Sequence, residues 1–279
     1  MTNPIADPFV EVPDTDAQSK LVLIDSTVEG AVTVTLNRPE RRNAFNAELI
    51  GALRETFETL RDQEGVRIVF VRGAGGVFSA GADLEWMRDA VEHTEDDNRD
   101  DAMKMAIMLK HLYDIPALTV ALVEGGAFGG GAGLAAACDL AVATADCKFA
   151  FTEVKLGLIA ATISPYVVRA IGERRARSLF ASAQQFDAAR AREIGLVDEV
   201  VTDAAALDAA KARLSEAIMA CAPDAVGASK ALVSFVAEHP IDHHVMTETA
   251  HRIAAARVGK EGQEGVRAFL AKRSPSWMA

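Results

Sequence analysis

The sequence predicts a layered α/β core followed by a mostly helical C-terminal region. Short β-branched runs alternate with helical patterns as far as Phe151, and helical patterns dominate from Ser164 onward. Half of the 279 residues are hydrophobic, which is enough for a sizeable core and argues against a disordered chain. A chain of this length suits one large domain, or a main domain with a smaller appendage.

The first part of the chain predicts the order strand, strand, helix, strand. Residues 1–20 are acidic and rich in proline, and we expect them to form a flexible N-terminal arm. Three β-branched runs predict strands: Leu21–Ile24, Val32–Leu36 and Val66–Val71. Between the last two, Asn43–Asp62 repeats apolar residues at helical spacing, and Asn43 or Asn46 can cap that helix.

A glycine turn at Gly73–Gly76 leads into the second part of the core. Ala102–Tyr113 predicts a helix. Three apolar runs predict strands: Leu118–Val123, Leu140–Ala143 and Lys148–Phe151. The dense acidic run Glu92–Asp101 predicts a solvated loop, and a mobile lid over a pocket is the alternative.

The C-terminal region contains one late strand, predicted at Leu196–Val201, and then helices. Four segments have helical patterns: Ala204–Ala222, Asp224–Ala237, Asp242–Val258 and Gly262–Lys272. We therefore expect three parts, an arm at residues 1–20, a core at residues 21–201 and a helical region at residues 202–279.

Charge and cysteine content exclude several classes of function. The formal net charge is -11, and an acidic surface repels phosphate backbones, so nucleic acid is not an expected partner. The three cysteines form no C-x-x-C pair, which favours a reducing compartment. The N-terminus lacks a secretory signal pattern, and the longest uncharged run, Gly125–Cys138, is too short to span a bilayer. A cytoplasmic protein without a membrane segment is expected.

The glycine-rich run Gly125–Gly133 is the first candidate site. A Walker loop is excluded because no G-K-[ST] follows. Gly131, Gly133 and Ala136 fit G-x-G-x-x-A, but the helix would end by Asp139, too early for a dinucleotide-binding crossover. Close packing of the helix against a sheet is one explanation of the glycines. The other is an oxygen-binding site at the helix N-terminus, where free N–H groups point at the ligand.

A second segment favours the oxygen-binding explanation. Phe78–Met87, F-S-A-G-A-D-L-E-W-M, again places small residues after a strand and a glycine turn. One backbone N–H from each segment would form an oxyanion hole. The loss of one such donor typically costs about 3–4 kcal/mol of transition-state stabilisation.

Four segments, in this order along the chain, resemble signatures of the crotonase (enoyl-CoA hydratase/isomerase) superfamily. They are N-R-P-E-R-R-N-A-F-N at Asn37–Asn46, F-S-A-G-A-D-L at Phe78–Leu84, E-G-G-A-F-G-G-G-A-G-L at Glu124–Leu134 and G-Q-E-G-V-R-A-F-L-A-K-R at Gly262–Arg273. The resemblance extends from about Leu21 to the end of the chain. It implies a crotonase-like α/β spiral of strand-strand-helix units, a helical C-terminal trimerisation region, and a homotrimer or hexamer.

The resemblance also implies an acyl-CoA substrate, so no separate cofactor is expected. The thioester oxygen is held between two backbone N–H groups in this superfamily, and by motif position these fall on Ala80 and Gly130. The CoA contacts fall on Ala82, Asp83 and Leu84, with the adenine near Ala82 and Leu84.

Three further residues are matched to CoA binding by the resemblance. Arg42 is a candidate for the CoA phosphates, and Phe269 and Lys272 match positions that reach the CoA of a neighbouring subunit. For Arg42 and Lys272, a solvated surface charge is the alternative. No metal site is expected, because Pro240 separates His239 from His243 and the other histidines lack a clear carboxylate or thiolate set.

One of two catalytic carboxylates is missing from the pattern. Hydration of an enoyl thioester needs a base for water and an acid for Cα. Hydratases of the superfamily carry one glutamate three residues after the oxyanion glycine, and that position is Gly133 here. The second glutamate is kept as Glu153, for which a surface acid before Lys155 is the alternative. Thr162 and Ser164 are nearby hydroxyl candidates, and a helix cap before Pro165 is the alternative explanation of both.

A single carboxylate suits two reactions. One is hydration in which water is held by other groups. Glycine at the first-acid position and the run Glu153–Arg174 are similar to bacterial 3-methylglutaconyl-CoA hydratases of leucine breakdown, so this hydration is the expected activity. The other is double-bond isomerisation by one base, as in a Δ3,Δ2-enoyl-CoA isomerase. A non-catalytic acyl-CoA-binding or RNA-binding family member is a further alternative, and the net charge of -11 argues against RNA.

Overall fold

The computed structural model describes residues 21–278, so the arm predicted at residues 1–20 lies outside the described chain. The described residues contain nine strands: β1 (Val22–Ser26), β2 (Ala31–Leu36), β3 (Ile68–Gly73), β4 (Leu118–Val123), β5 (Gly126–Phe128), β6 (Leu140–Thr144), β7 (Lys148–Ala150), β8 (Phe186–Asp187) and β9 (Glu199–Val201). The six strands predicted from β-branched and apolar runs, and the late strand, are confirmed with shifted ends. The short strands β5 and β8 were not predicted.

Eleven α-helices lie in the same part of the chain: α1 (Ala47–Asp62), α2 (Leu84–Ala90), α3 (Glu95–Asp114), α4 (Gly130–Ala137), α5 (Ser164–Ile171), α6 (Glu173–Ser182), α7 (Ala188–Ile194), α8 (Ala204–Met219), α9 (Pro223–Ala237), α10 (His243–Val258) and α11 (Lys260–Leu270). Asn46, and not Asn43, caps α1, because its side chain accepts a hydrogen bond from the Leu49 N–H at 3.0 Å.

The strands form two sheets, and the chain alternates between them. The larger sheet has the order β1-β2-β3-β4-β6-β9 and is parallel except for β1, while the smaller has the order β5-β7-β8. The chain runs from β4 to β5 and then α4, and from β6 to β7 and then α5. One strand in each sheet followed by a helix is the predicted spiral unit, and this prediction is confirmed.

The central strands are buried on both faces, as parallel strands usually are. On β3, Val69 and Val71 face the core shared with α1, α3 and α4, whereas Ile68 and Phe70 face the layer formed by α8. Helix α8 therefore packs directly on the large sheet, although it lies beyond the boundary predicted at residue 201.

The acidic run Glu92–Asp101 is mostly helical, so the prediction of a loop is wrong from Glu95 onward. Thr94 caps α3 with a capping box, since its hydroxyl accepts from the Asp97 N–H and the Asp97 carboxylate accepts from the Thr94 N–H. The acids in the first turn also lie near the positive end of the helix dipole. A helix with this start is stable even though its first two turns are exposed.

Helices α9, α10 and α11 bury very little within one chain. Helix α9 has no buried residue, and α10 and α11 have one each, Val245 and Ala268. No single described helix is long and apolar enough to cross a membrane. The pair α8 and α9 meets that length and composition test only when taken together, with a bend of 101° between the two helices.

Candidate active site

The glycine run forms β5, a tight turn and the start of α4. Gly129 has a φ of 48°, which turns the chain out of β5, and the Gly133 N–H makes the first helical bond, to Gly129 O at 3.1 Å. The N–H of Gly130 lies before that bond and has no hydrogen-bond partner within residues 21–278. Gly130 is half-buried.

Two other glycines in the run are explained by packing. A Cβ built on Gly131 would lie 2.7 Å from Ser79 Cβ, so only glycine lets α4 approach the neighbouring segment. A Cβ built on Gly133 would lie 2.0 Å from Ile163 Cγ2 and 2.4 Å from Ile163 Cβ. The two explanations of the run that the sequence left open are therefore both present: close packing at Gly131 and Gly133, and a free N–H at Gly130.

Residues 78–83 form a strand-like segment between β5 and residues 42–45. On one edge, the Phe128 N–H donates to Ser79 O at 3.0 Å. On the other edge, the Ala80 N–H donates to Arg42 O at 2.9 Å. Ala80 does not fit the predicted role of oxyanion donor, because its N–H already has a backbone acceptor.

Ala82, two residues further on, is the better candidate. The neighbouring bonds run from the Phe45 N–H to Gly81 O at 2.7 Å and from the Asp83 N–H to Phe45 O at 2.8 Å. The Ala82 N–H lies between them and has no acceptor in the described chain, and Ala82 is exposed. The free N–H of this segment therefore belongs to Ala82, which the resemblance had matched to the adenine, and not to Ala80.

Glu153 follows β7 and begins a 3₁₀ turn, Glu153–Leu156, which ends at Gly157 with a φ of 73°. A Cβ built on Gly129 would lie 3.1 Å from Glu153 Oε1, so the carboxyl group lies beside the turn that starts α4. The second oxygen, Oε2, is buried and has no hydrogen-bond partner. The surface-acid alternative for Glu153 does not fit this position.

Burial raises the pKa of Glu153, and a hydrogen bond from its own backbone N–H opposes this only in part. No ion pair joins Glu153 to a basic side chain in the described residues. A raised pKa makes this carboxylate a stronger base than that of an ordinary glutamate, and the unpaired oxygen leaves one atom free to bind a proton. This is the property required of a general acid–base group.

Ile163 occupies the space that a side chain at position 133 would need. Ile163 is 2 % exposed and belongs to the main core. A carboxylate at position 133 would therefore clash with an apolar side chain. The absence of the first acid in the sequence is matched by a filled, apolar space in the structure.

The two hydroxyl candidates lie next to Ile163, at the start of α5. The Ser164 hydroxyl donates to Ala161 O at 2.7 Å, so it is neither a free hydroxyl nor the predicted helix cap. Thr162 is half-buried in the preceding turn. Ile163 itself is the N-cap residue of α5, without a side-chain cap bond.

The residues matched to CoA binding lie in two separate places. Arg42 follows a short 3₁₀ turn with a φ of 52°, and Leu84 begins α2 with its side chain 80 % exposed. Phe269 and Lys272 lie at the end of α11, and no hydrogen bond or ion pair in the described chain joins them to the segments around Ala82, Gly130 and Glu153. Asp83 does not fit the predicted contact with CoA, because its carboxylate is buried and paired with Arg38 and both of its backbone polar groups have partners in Phe45 and Met87.

Residues 26–279 match the family described as enoyl-CoA hydratase/isomerase. The chain belongs to this family. It is 32% identical to an enoyl-CoA hydratase, ACTT6, of Alternaria alternata, over 89% of this chain and 81% of that protein. It is 30% identical to a 1,2-epoxyphenylacetyl-CoA isomerase of Escherichia coli, over 91% of this chain and 97% of that protein.

Solved structures of the enoyl-CoA hydratase/isomerase family have the same fold. The crystal structure of an enoyl-CoA hydratase from Shewanella pealeana superposes with a TM-score of 0.90 at 37% identity, covering 94% of this chain and 97% of that one. The predicted crotonase fold is confirmed. The chain is an enzyme of this family, and an acyl-CoA substrate is consistent with it.

Proposed function

We propose that this enzyme holds the thioester oxygen of an enoyl-CoA between the N–H groups of Ala82 and Gly130 and moves protons with Glu153 alone. Both N–H groups lack acceptors within residues 21–278, and they come from the two segments that meet beside Ser79. Two such donors stabilise the enolate that forms when a proton is removed from the α-carbon of a thioester, or when water adds to the β-carbon of an enoyl thioester.

The unpaired, desolvated Oε2 of Glu153 is the observation that carries this proposal. A buried carboxyl oxygen without a partner is costly, and functional sites are where such groups are retained. The carboxyl group lies beside Gly129, one residue before the proposed donor Gly130. A substrate bound to that donor would present its α-carbon to Glu153.

Reversible hydration is the proposed reaction. Glu153 takes a proton from water while the oxygen of that water bonds to the β-carbon. The protonated Glu153 then gives the same proton to the α-carbon as the enolate collapses, which returns Glu153 to the carboxylate. The substrate proposed first is 3-methylglutaconyl-CoA, which would give 3-hydroxy-3-methylglutaryl-CoA in a pathway of leucine degradation. The hydratase names of the relatives and the motif pattern around Gly133 and Glu153 support this choice.

Double-bond isomerisation is the second candidate, and Ile163 is the observation that favours it. An apolar side chain fills the place of the first acid, and a site with one base can move a proton from the α-carbon to the γ-carbon of a 3-enoyl-CoA without any water. The isomerase name of one relative is consistent with such chemistry.

Parallel assays of the two substrates separate these reactions. Purified enzyme is incubated with 3-methylglutaconyl-CoA and with a 3-enoyl-CoA, and mass spectrometry detects whether the product has gained one water. We expect a hydrated product from the first substrate and a slow or absent reaction with the second. Conversion of only the 3-enoyl-CoA, without a mass change, would establish the isomerase instead, and no reaction with either would contradict both proposals.

The remaining proposals concern binding and assembly. We propose that Arg42 contacts the CoA phosphates, that Leu84 and the backbone near Ala82 contact the adenine, and that Phe269 and Lys272 of a neighbouring subunit contribute to the same CoA. This arrangement requires a homotrimer or hexamer. The enzyme is proposed to act in the cytoplasm, without a further cofactor, a metal ion, nucleic acid or a membrane.

A further inference from the structure

We infer that the buried ion pair between Arg38 and Asp83 is a positioning device, which fixes the direction of the Ala82 N–H toward the thioester oxygen. This inference rests on the proposed function, because it concerns the donor assigned to Ala82. The side chains of Arg38 and Asp83 do not touch the substrate in this proposal. They set the direction of the Ala82 N–H, which does.

The ion pair links the two segments on either side of the proposed donor. Arg38 Nη2 lies 2.9 Å from Asp83 Oδ2, and the two side chains are only 11% and 5% exposed. Arg38 also donates through Nη1 to Ala44 O, and Asp83 Oδ1 accepts from the Glu85 N–H at 2.8 Å. One pair therefore holds the start of α2 against the backbone before α1.

The backbone at Ala82 has few other constraints. The Phe45 N–H donates to Gly81 O and the Asp83 N–H donates to Phe45 O, so both bonds on this edge use the same residue, Phe45. Ala82 itself is exposed and follows Gly81, whose φ is 90°. Without the side-chain pair, rotation of the Ala82 peptide would be opposed by these two bonds and by the bond from the Gly81 N–H to Ser79 Oγ at 3.2 Å.

Asn43 holds the segment on which Arg38 acts. Asn43 is fully buried with a φ of 54°, and its side chain accepts from the Arg38 N–H at 2.8 Å and donates to Ala74 O and Val77 O at 2.9 Å and 2.6 Å. Asn43 O accepts from the Ser79 hydroxyl at 2.9 Å. These bonds fix the backbone between Arg38 and Asn43. The ion pair from Arg38 in turn restricts the position of Asp83.

The charge state of Asp83 suits this role. Burial raises the pKa of Asp83, but hydrogen bonds from the Glu85 N–H and from Arg38 outweigh burial, and the net pKa is lower than its ordinary value. The carboxylate therefore stays ionised, and paired, at the pH values at which Glu153 exchanges protons.

The chain offers a matched control on the same two segments. Arg41 Nη2 lies 3.1 Å from Glu85 Oε1, but these side chains are 49% and 58% exposed. An exposed ion pair contributes little to geometry or stability. Arg41→Gln therefore removes an ion pair between the same segments without disturbing the buried one.

The experiment measures the bound carbonyl and the kinetics of Asp83→Asn, Arg38→Gln, Arg38→Lys and Arg41→Gln in the full-length enzyme. The probe is butyryl-CoA labelled with ¹³C at the thioester carbonyl, a saturated ligand that can be neither hydrated nor isomerised. Isotope-edited infrared spectroscopy reads the downward shift of the carbonyl band on binding. Steady-state assays use the substrate that the wild-type enzyme converts.

We expect Asp83→Asn and Arg38→Gln to lose at least half of the band shift and to lower kcat about 10–100-fold, less than full loss of a donor costs. KM should stay within about threefold, because the interaction matters most in the transition state. Arg38→Lys should have a band shift and a kcat between those of Arg38→Gln and the wild type. Arg41→Gln should have the wild-type band shift and kcat.

Full band shifts in both Asp83→Asn and Arg38→Gln would overturn the positioning role, and so would a fall in kcat with an unchanged shift. Insolubility of all three variants of the buried pair, with soluble Arg41→Gln, would also overturn it, since the pair would then be required for folding. A wild-type enzyme that turns over but shows no shift would contradict the carbonyl site itself, which distinguishes failure of the proposed function from failure of the pair alone.

Discussion

At the scale of single residues, Glu153 keeps a desolvated carboxyl group on a short turn whose other side chains face solvent. Its neighbours Val154 and Leu156 are exposed, yet its Oε2 atom is buried without a partner. Desolvation favours the protonated form and raises the pKa of Glu153, which makes its carboxylate a stronger base than that of an exposed glutamate. The chemistry of the site depends on this one carboxyl group, because Ile163 fills the place of a second.

The first prediction concerns the activity of Glu153→Gln. Glutamine keeps the shape but cannot exchange a proton, so we expect kcat to fall about 10²–10⁴-fold, the usual contribution of a general acid–base group. Glu173→Gln on α6, where the glutamate is 78% exposed, is the control and should keep full activity. Steady-state rates of both variants test this, and a full-rate Glu153→Gln enzyme would remove Glu153 from the mechanism.

The second prediction concerns stability and pH. The folded-state pKa of Glu153 is raised, so its protonated form stabilises the fold below the unfolded-state pKa, and that stability is lost as pH rises through the folded-state pKa. Glu153→Gln cannot ionise, and we expect it to melt at a higher temperature than the wild type at pH 8. The difference should vanish below about pH 4, near the ordinary glutamate pKa. Calorimetry at both pH values checks this, and a pH-independent difference would count against it.

At the scale of secondary-structure elements, α4 depends on close approach to its neighbours. Gly131 lies against Ser79, and Gly133 lies against Ile163 at the start of α5. These contacts place the Gly130 N–H next to residues 78–83. The geometry of the two donors therefore follows from packing between short elements as much as from the glycine turn.

The third prediction tests this packing with Gly133→Ala. The added Cβ would lie 2.0 Å from Ile163 Cγ2, and overpacking of this kind costs about 1–3 kcal/mol in unfolding free energy. The double variant Gly133→Ala/Ile163→Ala removes the clashing atoms and should be less destabilised than the sum of the two single variants. Urea denaturation measures all three, and strict additivity would show that the two positions do not share this space.

The sequence predicted the strands of the large sheet better than it predicted the exposed helices. The apolar strands of the large sheet were predicted because β-branched residues continue through them, as in Ile68–Gly73. Helix α2 was missed because none of its seven residues is buried, so no apolar stripe marks it. The acidic start of α3 was mistaken for a loop, although Thr94 and Asp97 have the spacing of a capping box.

Site residues show the same division between local and tertiary signals. Gly130 and Glu153 follow strands at motif positions, so their neighbourhood could be predicted. Ala80 was chosen over Ala82 because sequence does not show which N–H is taken by Arg42 O. Ile163 could not be predicted as the occupant of the first-acid position, since its contact with Gly133 joins α4 to the residue that precedes α5, 30 positions further along the chain.

At the scale of the whole molecule, the C-terminal helices expose an apolar surface that one chain does not cover. Large apolar side chains of α9, α10 and α11 are among the most exposed: Val233, Met246, Ile253, Val258, Val266, Phe269 and Leu270. Extensive exposed apolar area is typical of surfaces that bind another protein. This supports the proposed self-association, in which Phe269 reaches a neighbouring subunit.

The fourth prediction is that Phe269→Asp weakens this assembly. Phe269 is 82% exposed in the single chain, so a charge there is tolerated by the fold but not by an apolar interface. Val28→Asp, at a 74% exposed position in the β1–β2 turn, is the control. Sedimentation velocity should show trimers or hexamers for the wild type and the control, and smaller species for Phe269→Asp. A wild-type monomer would contradict the proposed assembly.

The central claim is that Glu153 moves the proton at the α-carbon of a thioester held by Ala82 and Gly130. The most direct measurement is exchange of the α-protons of bound butyryl-CoA with D₂O, followed by NMR, because hydration and isomerisation share this step. The account predicts exchange catalysed by the wild-type enzyme and slowed at least about 100-fold in Glu153→Gln. Equal exchange rates in the two enzymes would contradict it.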